Sequence, residues 1–201
     1  MESGVLFYWF CWILWILITF FMDKGRKRSL LAIWLLITII SSAFMITIGQ
    51  FHISASFVVM LFGSFILIAT RPHLYFHLFA AFTVSIGYAG LLFWEKISPI
   101  WIILPRIVFY SVIIGILISL LSKNYFSQIS ICLLGMLSGE LIHSLTLTSY
   151  GLDEIAAETL FLDTLLSTLL LLTFLAILLK GKRKYVRFIH HYKQNPRWQL
   201  K

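Results

Sequence analysis

FYWFCWILWILITFFMDKGRKRSLLAIWLLITII, residues 7–40, is the stretch whose reading decides the fold. Two continuously apolar runs flank a short gap that holds Lys24, Arg26, Lys27 and Arg28, and neither run contains a charged side chain. Runs of this kind lack the period-2 alternation of lipid-facing strands, so they predict helices that satisfy their own backbone hydrogen bonds in lipid. The basic gap between them predicts a turn on the cytoplasmic side of a membrane.

The same alternation continues along the chain. With 60% hydrophobic residues and a mean hydropathy of +0.95, the 201 residues carry more apolar surface than one soluble core hides. A bilayer core about 30 Å thick needs roughly 20 apolar residues at about 1.5 Å rise each. Seven runs meet that description closely enough to be drawn as spans: residues 4–22, 30–48, 55–70, 76–94, 99–121, 127–148 and 159–179. The expected fold is therefore all-α, a polytopic bundle of seven transmembrane helices over residues 1–179, followed by a basic tail over 180–201. In the fifth span Pro105 either lies within the full run or opens the helix, leaving 99–104 as an interfacial lead-in.

Orientation follows from the basic residues near the span ends. With the N-terminus outside and the C-terminus inside, the inner face receives Lys24, Arg26, Lys27, Arg28, Arg71, Lys123 and the tail, and the outer face only Lys96 with Arg106 at its edge. Glu2, Glu95, Asp153, Glu154 and Glu158 all fall outside. The first span is expected to stay in the protein, because its basic run follows the apolar stretch, the reverse of a signal peptide. Tyr8, Trp9, Trp94 and Trp101 sit where the outer interface is expected, wetting one edge of each ring.

No gap between spans is long enough for a soluble catalytic or binding domain. Cys11 and Cys132 both fall inside spans and no metal-ligand spacing appears, so both read as packing residues, with no cofactor or metal expected. The net charge of +8 and pI of 9.7 are what a positive-inside topology requires, and call for no nucleic-acid partner.

Ionisable groups inside spans are costly and are the first place to look for function. Four stand out: Arg106, Glu140, His143 and Asp163. Counted from the outer helix ends at about 1.5 Å per residue, they lie roughly 6–12 Å deep, all in the outer third of the bilayer. Glu140 and His143 share a helix face, which Ser144 extends, and Gly135 with Gly139 forms a small-xxx-small pair that brings span six close to a neighbour. One reading makes the cluster structural, with Arg106 paired to Glu140 or Asp163 and His143 donating a hydrogen bond; another lets Arg106 and Asp163 reach the headgroups. A third makes Glu140 the carrier of a proton or cation path with His143 as relay. Catalysis by Glu140 and His143 is not expected, because a di-metal bundle site needs a second Glu-x-x-His copy and further Glu ligands. The span orientations also permit two parallel three-helix repeats about a linker helix, though spans one to three show no sequence similarity to spans five to seven.

In the tail, Tyr185, Phe188 and Tyr192 recur at helical spacing among Lys182, Arg183, Lys184 and Arg187. This predicts an amphipathic basic helix on the cytoplasmic face, attracted to anionic lipids and ending near Pro196, with a membrane-protein partner as a further option.

The opening FYWFCWILWILITFFMDKGRKR, with the length and seven-span layout, resembles the YphA-like family of small integral membrane proteins from Bacillus-type bacteria. The resemblance implies a bacterial plasma membrane, multi-pass, and supplies no active-site residue. The expected role is non-enzymatic, in interaction or membrane organisation, with a small ion or solute transporter as the alternative.

Overall fold

The computed structural model describes residues 5–48, 51–98, 105–151, 155–156 and 159–193. Among these the chain forms seven α-helices: α1 (Val5–Phe21), α2 (Arg26–Ser41), α3 (Ala55–Ala69), α4 (Leu74–Ile97), α5 (Arg106–Leu121), α6 (Tyr125–Ser149) and α7 (Thr159–Lys193). Three short strands complete it: β1 (Met45–Ile48), β2 (Phe51–Ser54) and β3 (Ile155–Ala156). Leu74–Ile97, Tyr125–Ser149 and the Leu160–Lys182 part of α7 are long and apolar enough to cross a membrane. The other four are apolar helices of 10–17 residues. At about 1.5 Å per residue these fall short of a hydrocarbon core about 30 Å thick.

Connectors of a few residues join α1 to α2, α3 to α4 and α5 to α6. Links this short return the chain antiparallel to itself. The centre of the bundle is α6, which packs against α3, α4, α5 and α7; its Ile131, Cys132, Met136 and Leu137 are fully buried. Large side chains on the other helices, Phe20, Phe62, Phe79 and Ile177 among them, point outward. That inversion of a soluble surface is what a lipid solvent asks for.

The Gly135 and Gly139 pair does what its spacing suggests. A Cβ at Gly139 would stand 2.7 Å from the Ser85 carbonyl oxygen, and one at Gly135 2.7 Å from Val84 Cβ. Both glycines face α4, so the two long helices approach at backbone distance.

One expectation needs correction. The second run does not continue as helix to residue 48: α2 ends at Ser41, and 45–48 forms β1. The hydroxyls of Ser41 and Ser42 bond back to the carbonyls of Ile37 and Ile39 at 2.6 and 2.7 Å, competing with the last helical turn. The Met45–Ile48 segment, β-branched at Ile46, Thr47 and Ile48, then pairs antiparallel with β2 in the register Met45↔Ser54 and Ile48↔Phe51. β3 pairs parallel to β2 (Ile53↔Ala156), tying the α2–α3 connector to the α6–α7 connector. In the fifth run the helix begins at Arg106 behind Pro105; residues 99–104, with Trp101, lie outside the described residues. The 180–193 part of the tail is helical as expected, continuous with the last span in α7, which runs unbroken through Lys193. Pro196, its expected end, lies outside the described residues.

Candidate functional site

Because the chain doubles back at each connector, the first turns of α1, α3, α5 and α7 share an end of the bundle with the last turns of α2, α4 and α6. Tyr8 near the start of α1 marks this pairing, its hydroxyl 2.8 Å from the Ser42 hydroxyl that follows α2. Arg106, Glu140, His143 and Asp163 all lie in the halves of their helices nearest that end.

Asp163 is buried on α7, and its Oδ1 accepts the backbone N–H of Phe7 at 2.7 Å. Phe7 belongs to the first turn of α1, whose N–H groups have no intrahelical partner. A carboxylate supplied from another helix thus accepts one of the first-turn N–H groups of α1, and its charge suits the positive helix end.

Glu140 and His143 are both buried on α6. Close approach at Gly139 brings Tyr88 of α4 over this face, and the Tyr88 hydroxyl hydrogen-bonds the Glu140 carboxylate. His143 lies against Phe93, ring centroids 4.9 Å apart.

Arg106 Nε pairs with Glu95 Oε2 at 3.0 Å, a partner the sequence reading did not name. The reason is the late start of α5: Arg106 is its first residue, beside the final turn of α4, and not a mid-helix charge. Each partner sits at the disfavoured end of its helix, a cation at an N-terminus and an anion near a C-terminus, so the pair offsets two unfavourable dipole interactions. Tyr110, one turn further along α5, donates its hydroxyl to the same Oε2 at 2.6 Å and lies under the guanidinium, 5.7 Å from ring centroid to Cζ.

The tyrosines connect the two carboxylates. Tyr88 and Tyr110 meet edge to face at 6.1 Å, and Tyr88 also touches Phe161, which touches Phe57. Beside Tyr110 a cleft of about 350 Å³ opens between α4 and α5, walled by Leu91, Trp94, Phe109 and Ile113, with Glu95 at its polar end.

Sequence reasoning missed Tyr88, Glu95 and Tyr110. The i,i+4 spacing of Arg106 and Tyr110 was a usable signal; the Tyr88 contact had none, being made by the crossing of α4 and α6. It also missed a polar contact at the opposite end, where His77 Nε2 stands 2.8 Å from the Ser127 hydroxyl and its Nδ1 2.9 Å from the His73 carbonyl. Among the described residues no three His, Cys, Asp or Glu side chains converge as metal ligands. Of the tail candidates, Lys182 is exposed; the side chains of Arg183, Lys184, Tyr185, Arg187, Phe188 and Tyr192 lie outside what is described.

A family model described as YphA-like integral membrane protein matches residues 3–198. The chain is also 27% identical over 140 residues to a Bacillus subtilis (strain 168) protein described as uncharacterized protein YphA, a match covering 69% of each chain. No solved structure matches.

Proposed function

Since the chain belongs to the YphA-like integral membrane protein family, we propose that it is a multi-pass protein of the bacterial plasma membrane with a non-enzymatic role in interaction or membrane organisation. In this reading all seven helices span, N-terminus out and C-terminus in. The four short helices cross by local thinning or by snorkelling at their ends. The basic end of α7 meets anionic lipids or a membrane-protein partner on the cytoplasmic side.

The observation that carries the reading is the use of the intramembrane polar groups. Asp163 caps α1, Glu140 takes the Tyr88 hydroxyl, and Arg106 closes on Glu95. Each joins one helix to another, as expected of groups that hold a bundle in register.

A transport reading has one observation in its favour: the Tyr88–Tyr110 contact joins Glu140 to Glu95, a line of titratable groups from the buried face of α6 toward a helix end. Proton and monovalent-cation flux in liposomes separates the two. The interaction role expects no flux from either the unmodified chain or Glu140→Gln. Flux that Glu140→Gln abolishes, with the variant still folded, overturns it in favour of transport.

A further inference from the structure

We propose that the bundle carries a built site for the phosphate headgroup of an anionic glycerophospholipid, formed by Arg71, Lys123 and Lys180 around the rings of Tyr125 and Phe126. It deepens the interaction role proposed above and rests on that reading for the leaflet that supplies the lipid.

The site lies where the α3–α4 and α5–α6 connectors meet α7. Arg71, two residues beyond α3, holds its Cζ 5.4 Å from the Phe126 ring centroid. From α7, Lys180 places its Nζ 5.8 Å from the Tyr125 ring centroid. The two rings are neighbours in the first turn of α6, their centroids 5.5 Å apart, and the Tyr125 hydroxyl is tied to α7 at 3.0 Å from the Thr173 hydroxyl. Lys123, exposed, comes two residues before Tyr125. Cations from three parts of the chain thus gather about one helix start, two of them positioned by aromatic faces and not by an acidic partner.

The charge there is uncompensated. No acidic residue occurs in 70–73, in 122–130 or anywhere after Asp163. The N-cap of α6, Asn124, makes no side-chain capping bond, so the positive end of the helix dipole adds to the three cations. Arg71 Nε is shielded from solvent and, among the described residues, has no hydrogen-bond partner. Its stem is therefore packed and its guanidinium held in place with a donor unspent. A phosphate accepts charge-assisted hydrogen bonds from Arg and Lys, and a basic pocket between membrane helices suits an anionic headgroup. Phe126, 63% exposed beside these cations, offers apolar contact to the glycerol and the first methylenes of an acyl chain, which selects a lipid over free phosphate.

Native mass spectrometry of the purified full chain tests the site, with phosphatidylglycerol, phosphatidylcholine and chain-free glycerophosphoglycerol offered in turn. Phosphatidylglycerol should be retained about tenfold over phosphatidylcholine, the factor one charge-assisted hydrogen bond supplies. Arg71→Gln should remove that preference. Lys24→Gln, which removes the same charge from an exposed position on the α1–α2 connector, should leave most of it. Equal losses in the two variants would mean that net charge alone draws the lipid, and would overturn the site. So would an absence of preference in the unmodified chain, or glycerophosphoglycerol retained as well as the lipid. If Arg71→Gln does not fold, phosphatidylglycerol carrying a photoreactive headgroup is cross-linked to the unmodified chain. Adducts within 70–73 and 123–126 support the site, and adducts confined elsewhere overturn it. Binding in detergent does not depend on orientation, and liposome flux reads the role of Glu140, so failure of this site is distinguishable from failure of the interaction reading.

Discussion

The backbone N–H of Phe7 donates to Asp163 Oδ1 at 2.7 Å, closing the first helix of the chain onto the last. Removing the carboxylate leaves a first-turn N–H of α1 without its acceptor in a site shielded from water. Asp163→Ala should therefore destabilise the bundle by about 1.5–3 kcal/mol, the range for a hydrogen bond to a charged group. Asp163→Asn, which keeps an acceptor and loses the charge, should cost less. Thermal unfolding in detergent reads both; an unchanged midpoint for Asp163→Ala would refute the capping role.

Backbone approach between α4 and α6 predicts a contrast among glycines. Gly139→Ala pushes a methyl against the Ser85 carbonyl oxygen, which cannot rotate away, and should cost about 1–3 kcal/mol while shifting Tyr88 off Glu140. Gly90 on α4 has nothing within 4 Å of its missing Cβ, so Gly90→Ala should be neutral or mildly stabilising. The same unfolding assay ranks the two, and the reverse order would contradict the packing.

Tyr110 donates to a carboxylate that also holds Arg106. Tyr110→Phe keeps the ring contact with Tyr88 and deletes one hydrogen bond, for an expected loss of about 1 kcal/mol. Glu95→Gln should lose a similar amount, because the pair is partly exposed and screened. In the double variant the losses should be less than additive, since both act through Oε2. Full additivity would mean that the two contacts are independent.

The proposed orientation is open to cysteine labelling. Cys11 and Cys132 are buried and should stay silent. Tyr150→Cys, exposed after α6, should react with an impermeant maleimide in intact cells, and Lys123→Cys, exposed before α6, only after permeabilisation. The opposite pattern would invert the topology.

For the tail, hydrogen exchange of the 180–193 end of α7 should slow in nanodiscs containing phosphatidylglycerol relative to phosphatidylcholine alone. Replacing Lys182, Arg183, Lys184 and Arg187 by Gln should erase the difference, each basic residue near an anionic surface contributing about 1 kcal/mol. Equal exchange in both lipids would argue against a lipid-facing role.

Much of this architecture was legible in the chain because it depends on local or periodic properties. Continuous apolar runs separated by charged gaps specify helices, since lipid admits only helices and closed barrels and the runs lack the period-2 alternation of barrel strands. The spacing of Gly135 and Gly139 marked a close contact before its partner was known. The correction at the end of α2 arose where local signals compete: the serines there and the β-branched residues after it outweigh hydropathy, which does not distinguish a strand from a helix end.

Side-chain partners were a different matter. That Arg106, Glu140, His143 and Asp163 share one end follows from counting residues along alternating helices. That Arg106 meets Glu95, that Glu140 meets Tyr88, and that Asp163 meets a backbone N–H on α1 follow only from how the helices cross and where each begins. The sequence by itself determined the solvent, the helices and their alternation, because those rest on apolar surface and backbone hydrogen bonding. Tertiary structure alone decided the pairings, because a hydrogen bond depends on ångström distances between residues as far apart in sequence as Phe7 and Asp163.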